Sequence, residues 1–152
     1  MAITTPGYER RQVLWLLWIV LPGTAALTWW LAGAVQAEPR AQLAVAAVAA
    51  SELLVLAGLG RFVVRVQGDT LHWRFGYLGW PHWQLPLADI RTVEQARCTW
   101  VEGWGIRRTK EGMLYNARGS GAVRLTLKDG RRLRLGSDEP DRLAAFIAAR
   151  LT

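Results

Sequence analysis

Two long apolar stretches, separated by a short polar break, dominate the first 60 residues of the chain. No charged residue occurs in 12–37, and Glu52 is the only charge in 41–60. As an α-helix the first stretch would be about 39 Å long at 1.5 Å per residue, enough to cross a hydrocarbon core of about 30 Å. The pattern predicts a transmembrane helical hairpin over 12–60, with spans at about 12–35 and 41–60, after a flank at 1–11.

Tryptophan and arginine positions predict how this hairpin sits in a bilayer. Two pairs, Trp15 with Trp18 and Trp29 with Trp30, mark the two ends of the first span, as expected for side chains that prefer the membrane interface. Basic residues flank the open end of the hairpin, whereas the turn has only Arg40 beside an acid. The excess of positive charge on one side predicts that both termini are cytoplasmic. The basic flanks are Arg10, Arg11, Arg61 and Arg65.

Small residues in the second span predict how the two helices pack. Ala47, Ser51, Leu54 and Gly58 recur at helical spacing. Such a stripe allows close approach of a neighbouring helix, here the first span. The same stripe is compatible with self-association.

Glu52 is the one acid inside a predicted span, and its position suggests a polar lock. An intramembrane carboxylate is costly and marks a candidate functional site. In an antiparallel hairpin it lies level with Thr24, just past a kink expected at Pro22. A protonated Glu52 bonding to Thr24 would lock the helices together. Two alternatives are contact with a partner's helix and ion or proton handling in a small subunit of a transport or enzyme complex.

After Gly60 the hydrophobic period changes from helical to alternating, which is typical of strands. Phe62, Val64 and Val66 alternate with Val63, Arg65 and Gln67, and Gly68-Asp69 predicts a turn into a strand at 70–75. Further strands are predicted from Leu85 towards Cys98, around Tyr115, and on both sides of the Asp129-Gly130 turn. The segment from Ser137 to Pro140 predicts the start of a C-terminal amphipathic helix. Residues 61–152 are thus expected to form one domain of six or seven antiparallel strands and a helix.

The charge of the protein lies almost entirely in this domain. Residues 61–152 hold 16 of the 19 Lys and Arg residues and 9 of the 12 acids, so they carry the whole net charge of +7. A basic surface favours anionic lipid headgroups or nucleic acid. No nucleic-acid-binding motif occurs, and a membrane tether disfavours nucleic acid as a partner.

Exposed aromatic and basic residues are the candidates for contact with headgroups or with a partner, and core packing or a solvated face is the alternative for each. The first set is Arg61, Arg65, Trp80, Trp83, Trp104, Arg107, Arg108 and Lys110. The second set, a basic face on the last hairpin, is Arg124, Lys128, Arg132 and Arg134. No catalytic motif, metal-ligand spacing or cofactor motif is found, so no catalytic residue, metal or cofactor is predicted.

Several short motifs carry a resemblance to a known class of proteins. They are Leu85-Pro86-Leu87-Ala88-Asp89-Ile90, Gly103-Trp104-Gly105-Ile106-Arg107, Leu114-Tyr115-Asn116, Gly121-Ala122-Val123 and Leu135-Gly136-Ser137-Asp138-Glu139-Pro140. Together with two preceding spans, they resemble small bacterial inner-membrane proteins with a pleckstrin-homology-like domain.

The resemblance implies an α+β membrane protein, in which an antiparallel barrel or bent sheet with one C-terminal helix follows the hairpin. The expected function is a non-catalytic scaffolding module that binds a membrane-protein partner or itself. A module that senses anionic lipid is the alternative.

Overall fold

The computed structural model describes residues 7–35, 38–99, 102 and 104–151. Its elements, in chain order, are β1 (Tyr8–Val13), α1 (Trp15–Ala34), α2 (Pro39–Leu59), β2 (Arg61–Gln67), β3 (Thr70–Phe75), β4 (His82–Pro86), a 3₁₀ turn (Leu87–Asp89), β5 (Ile90–Arg97), β6 (Gly105–Thr109), β7 (Gly112–Asn116), β8 (Gly121–Leu127), β9 (Arg132–Gly136) and α3 (Pro140–Ala148).

Helices α1 and α2 form an antiparallel pair, and both are long and apolar enough to cross a membrane. Their mean hydropathy is 1.5 and 1.9. No residue of α1 is buried in the fold, and Leu56 is the one buried residue of α2. Helix α1 begins at Trp15 rather than near residue 12, because Gln12 and Val13 belong to the strand before it.

Strand β1 is the largest difference from the sequence prediction, which placed only a flank at 1–11. Tyr8–Val13 pairs antiparallel with β2, from Tyr8 opposite Val66 to Val13 opposite Arg61. The strand is also held at the far end of the chain, where Gln12 Nε2 donates to Asp138 Oδ1 at 3.0 Å. The helical hairpin is therefore an insertion between two neighbouring strands, and the predicted domain boundary at residue 61 is corrected to include β1.

The face of α2 that packs on α1 also differs from the prediction. From Val45 to Leu56, the half-buried or buried positions of α2 follow a spacing of four and three residues, which keeps one helix face towards a neighbour. At the end of the helix Ala57, Gly58 and Leu59 are all half-buried. By contrast Ala47, Ser51 and Leu54 are exposed, with Leu54 71% exposed. These three members of the predicted small-residue stripe therefore point away from α1. The positions at the observed spacing are Val45, Ala49, Glu52, Leu56 and Leu59.

In the described part of the chain, nine strands form two sheets, which we name sheet A and sheet B. Sheet A has the order β1-β2-β3-β4, and sheet B has the order β5-β8-β9-β7-β6. The predicted hairpins β2–β3 and β8–β9 are both present, and β2–β3 has the register that its Gly68-Asp69 turn predicts, whereas the β8–β9 turn encloses three residues, 128–130. Strand β6 and the parallel pairing of β7 with β9 were not predicted. The strand predicted from Leu85 towards Cys98 is wrong as one element, because the turn at Leu87–Asp89 divides it into β4 of sheet A and β5 of sheet B.

One hydrophobic core lies between the two sheets and α3. Sheet A contributes Phe62, Leu71 and Phe75, and sheet B contributes Leu125 and Leu135, all fully buried. Helix α3 covers this core through Leu143 and Ile147, as its apolar spacing predicts. Leu14, Leu17 and Leu59 join the same core from the base of the hairpin.

The connection between β3 and β4, residues 76–81, binds the base of the hairpin and is called the base loop below. Tyr77 N donates to Ala57 O at 2.8 Å, and Gly76 N donates to Arg61 O at 2.7 Å. The Tyr77 ring meets Trp18 of α1 edge-on, with ring centroids 6.0 Å apart. The base loop is therefore docked on both helices.

Gly76 should be the residue on which this docking depends. Gly76 and Gly68 both have positive φ, 72° and 57°, so alanine at either incurs backbone strain of about 1 kcal/mol. A Cβ at Gly76 would also lie 2.5 Å from Gly58 O and 2.6 Å from Ala57 O, whereas nothing lies within 4 Å at Gly68. We expect Gly76→Ala to destabilise the protein by about 1–3 kcal/mol more than Gly68→Ala. Thermal unfolding of the full chain in detergent micelles tests this, and equal shifts would contradict it.

Candidate functional site at the base of the hairpin

The base loop exposes apolar side chains next to the hairpin. Leu78 is 81% exposed and Trp80 is 73% exposed. Exposed apolar side chains that cluster at one place mark an interaction surface rather than ordinary surface composition. Gly79, with φ of 77°, lets the chain turn between them. The tip of the base loop is therefore available for contact with an apolar phase or partner.

A groove on the outer face of sheet A opens beside this loop. It has a volume of about 440 Å³. Alternation along β2 and β3 places Arg65, His72 and Arg74 on the same outer face, and the register sets Arg65 opposite His72 and Arg74 opposite His82. The groove is lined by Glu9, Val63, Arg65, Gln67, His72, Trp73, Arg74, Gly79, His82 and Trp83.

The charges of the groove are only partly compensated. Glu9 accepts a hydrogen bond from Arg11 Nε at 2.6 Å and lies 3.8 Å from Arg65 Nε. The hydrogen bond from Arg11 lowers the pKa of Glu9, and the charges of Arg65 and Arg74 lower it further. Among the residues that the structure describes, no carboxylate lies within ion-pair distance of Arg74. One carboxylate thus faces three guanidinium groups.

The guanidinium of Arg74 packs against the base loop at Gly79. A Cβ at Gly79 would lie 2.7 Å from Arg74 Nη1, so only a residue without a side chain lets the guanidinium lie across the loop. The apolar tip and the cationic groove are therefore neighbouring parts of one surface. Arg61, a predicted contact residue, lies at the same end, where its guanidinium is 5.7 Å from the centre of the Tyr77 ring.

Within the hairpin, Thr24 and Glu52 are in contact. Thr24 Oγ1 donates to Glu52 Oε1 at 2.8 Å, and it also lies 3.0 Å from Val20 O and 2.9 Å from Leu21 O of its own helix. Glu52 Oε2 is buried and has no partner among the described residues. The sequence of the two helices contains no second acid, His or Lys. The contact therefore joins two helices without the further groups that a proton path would need.

A double-mutant cycle measures what this contact contributes. We expect Thr24→Val and Glu52→Leu to be coupled by about 0.6–1.7 kcal/mol, the range for hydrogen bonds between membrane helices. Glu52→Gln should retain most of the stability, since an amide can still bond to Thr24. Thr28 bonds only to Thr24 O and Ala25 O of its own helix, so Thr28→Val with Glu52→Leu is the matched control. Thermal unfolding in detergent gives the change in stability of each variant. If the effects of Thr24→Val and Glu52→Leu simply add in the double variant, the lock is contradicted.

The predicted basic face of the last hairpin is not a free basic surface. Arg134 is 3% exposed and forms an ion pair with Glu102, with Glu111 3.6 Å away. Arg124 is paired with Glu111 at 2.7 Å and with Glu94 at 3.6 Å. Arg134 lies on the predicted outer face of the hairpin but is not solvated there, because its guanidinium bonds to Arg97 O, Glu102 and Thr109 Oγ1. Lys128 and Arg132 are exposed.

Glu102 links Arg134 to the residues that follow β5. Its Oε2 accepts a hydrogen bond from Thr99 N at 2.8 Å. The hydrogen bond from Arg134 is the main reason that the pKa of Glu102 lies below its ordinary value. Cys98 and Leu114 form a small second core with Ala122. The outer face of sheet B is thus internally paired and partly covered.

The Glu102–Arg134 pair predicts a dependence of stability on pH. Because the pKa of Glu102 is lowered on folding, its contribution is fully present above the ordinary carboxyl pKa of 4.5 and is lost as the pH falls through the folded-state value. We expect Glu102→Gln to cost about 1–3 kcal/mol at pH 7, since it leaves Arg134 buried with a weaker partner. This loss of stability should disappear in acid, where Glu102 of the wild type is protonated.

Glu94→Gln is the matched control, because Glu94 is 59% exposed and its pair with Arg124 should contribute less than about 1 kcal/mol. Unfolding temperatures measured from pH 7 to pH 3 test both variants. A Glu102→Gln cost that persists unchanged at pH 3 would contradict the assignment.

The remaining predicted contact residues lie in two other places. Trp83 packs against the core, with its ring 4.8 Å from Tyr115 and 6.2 Å from Trp73, so it is not the exposed contact that was predicted. A second group lies on or beside β6, the edge strand of sheet B, and is exposed. This group is Trp104, Arg107, Arg108 and Lys110.

Sequence reasoning missed most of the groove. The Gly68-Asp69 turn fixes the register of β2 with β3, so the pairing of Arg65 with His72 could have been found from alternation alone. Glu9 and Arg11 gave no such signal, because β1 itself was not predicted. Among the described residues, no three His, Cys, Asp or Glu side chains come together in a way that could hold a metal ion.

Comparison with known proteins adds no identification. No family model matches the chain, and no curated protein matches it significantly.

Proposed function

We propose that this protein is a non-catalytic interaction module that its helical hairpin anchors in a cell membrane. The observation that carries the proposal is the docked base loop, which exposes Leu78 and Trp80 beside the ends of two apolar helices. A clustered apolar tip marks an interaction surface, and anchoring by the hairpin would place this tip in contact with the bilayer.

The lengths of the elements support this placement. The 21 residues of α2 would span about 31 Å, close to the thickness of a hydrocarbon core. Leu59 would then lie at the boundary between hydrocarbon and headgroups. The hydrogen bond from Tyr77 to Ala57 sets the base loop within one helical turn of that boundary. Trp80 and Tyr77 are of the type that prefers this layer.

The side of the membrane and the family of the domain belong to the same proposal. Arg10, Arg11, Arg61 and Arg65 all lie at the β-domain end of the hairpin, which favours a cytoplasmic domain at an inner membrane. Two sheets followed by a terminal helix on the core support a pleckstrin-homology-like domain. The parallel pairing of β7 with β9 departs from the all-antiparallel arrangement that we expected.

Depth measurements with a nitroxide label test the proposal. The full chain carrying Leu78→Cys is labelled and reconstituted in phosphatidylcholine vesicles. We expect the label to be relaxed more by oxygen than by a water-soluble nickel complex, as in the lipid phase. Asp69→Cys is the control, because the β2–β3 turn lies at the opposite end of β2 and its label should remain aqueous. Equally aqueous labels at both positions would refute the placement.

The native cysteine does not interfere with this experiment. Cys98 is 3% exposed, and burial raises the pKa of its thiol, so little reactive thiolate is available to the label.

A protein partner is the second candidate, and strand β6 favours it. This strand is an edge of sheet B, and edge strands can pair with a strand from another chain. Trp104 is 39% exposed and Ile106 is 36% exposed, with Arg107 and Arg108 beside them. A membrane protein or a second copy of this chain could dock here while the base loop remains on the bilayer.

A further inference from the structure

We propose that the groove on the outer face of sheet A binds the phosphate group of an anionic lipid headgroup. This inference rests on the membrane anchoring proposed above and names a ligand for one surface of the domain. The site consists of Arg65 and Arg74 as the principal cations, His72 and His82 as further donors, and Val63 as part of its floor.

The charge of the groove selects an anion. Arg65 and Arg74 are exposed and point the same way from neighbouring strands. The one carboxylate nearby, Glu9, is engaged most closely by Arg11 and lies 3.8 Å from Arg65. Arg74 therefore has no acidic partner among the described residues, and Arg65 has only a distant one. Guanidinium groups in this state bind phosphate oxygens with short, charge-assisted hydrogen bonds.

The bases of sheet B show that this exposure is selective. Arg124 and Arg134 are both paired with carboxylates from the connections next to sheet B, Glu111 and Glu102, and Arg131 is paired with Asp129 at 2.6 Å. The groove is thus one place where basic side chains converge around an open volume with few matching acids. Both histidines of the protein also line it, and a neutral imidazole can donate one N–H to a phosphate oxygen.

The position of the groove makes the anion a lipid. Strand pairing sets Arg74 opposite Val63, which is two residues from the hairpin end of β2 at Arg61. Two residues of strand span about 7 Å. The polar layer on each side of a bilayer is about 5–8 Å thick, from the difference between the full thickness and the hydrocarbon core. With β2 running along the membrane normal, Arg74 lies at the depth of lipid phosphates, and Arg65, two residues farther along β2, lies about 7 Å beyond it.

The lining of the groove suits an amphiphilic ligand. Val63 contributes apolar surface beside the cations, whereas the rings of Trp73 and Trp83 pack towards the core. Through Gly79, Arg74 lies against the loop whose tip exposes Leu78 and Trp80. A lipid in the leaflet could place its phosphate on the arginines and keep its acyl chains against that tip. No lipid would have to leave the bilayer for this contact.

A thermal-shift titration of the full chain in a neutral detergent tests the inference. The probes are dioctanoyl phosphatidylglycerol, dioctanoyl phosphatidylcholine and inorganic phosphate. We expect the anionic lipid to raise the unfolding temperature at concentrations at which the zwitterionic lipid and inorganic phosphate do not. Equal effects of the two lipids, or full protection by inorganic phosphate, would overturn the assignment.

Variants locate the site. Arg65→Gln with Arg74→Gln should weaken binding of phosphatidylglycerol at least 10-fold, since each substitution removes a hydrogen bond from a charged donor. Lys128→Gln with Arg132→Gln makes the same change of net charge on sheet B and should leave binding within about twofold. Equal losses in the two double variants would mean that only net charge matters and would overturn the site.

Two further measurements separate binding from folding. Arg65 and Arg74 are exposed, so the unfolding temperature without lipid should be the same in the double variant as in the wild type. Arg65→Lys with Arg74→Lys keeps the charges and should restore part of the binding, and failure of any restoration together with a lowered unfolding temperature would count against a binding role. Lipid contact of the Leu78 label is measured independently, so it can succeed when this inference fails.

Discussion

The structure depends on a strand pair that closes the helical hairpin. The chain leaves the sheet at Val13, runs through both helices and returns at Arg61, directly opposite its point of departure. Leu14 N donates to Gly60 O at 3.1 Å and continues this closure for one residue beyond the strands. Paired strands lie about 4.8 Å apart, whereas packed helices need about 8–10 Å between their axes. The helices must therefore diverge from their base, and Gly60 at the end of α2 allows this tight junction.

This closure explains why the domain and the hairpin form one unit. Leu14, Leu17 and Leu59 pack into the core of the β-domain, so the base of the hairpin is part of that core. The base loop adds a third attachment through Tyr77. The chain connects the β-domain to the hairpin twice, and the docked base loop adds a further contact. Together they remove the rotational freedom that a single flexible linker would leave. The orientation of sheet A relative to the helices is consequently fixed by the fold.

Periodicity predicted the elements that are local in sequence and missed those that depend on distant partners. The β8–β9 hairpin and α3 follow from alternation, a turn and an apolar stripe, whereas β1 has three consecutive charged residues and exists because β2 pairs with it. Alternation placed Arg134 on the outer face of sheet B. A pattern of alternating residues carries no information about Glu102, which lies outside the strands and pairs with Arg134 on that face. Thr24 and Glu52 could be matched because an antiparallel hairpin has one simple register. The groove needed four strands, of which only β2 and β3 were predicted in register.

The fixed orientation bears directly on how strong the proposed lipid contact has to be. Binding normally costs the freedom of the two partners and the ordering of the site. In the proposed placement the anchor would hold the groove at the leaflet, so a headgroup would meet it as an intramolecular partner does, at an effective concentration in the millimolar range or above. Modest contacts from two arginines and two histidines would then suffice for occupancy. A groove of this kind would respond to the composition of the leaflet rather than extract one lipid tightly. The interrupted sheet thus makes the anchor a part of the binding surface, because the strands that line the groove are the same strands that close the hairpin.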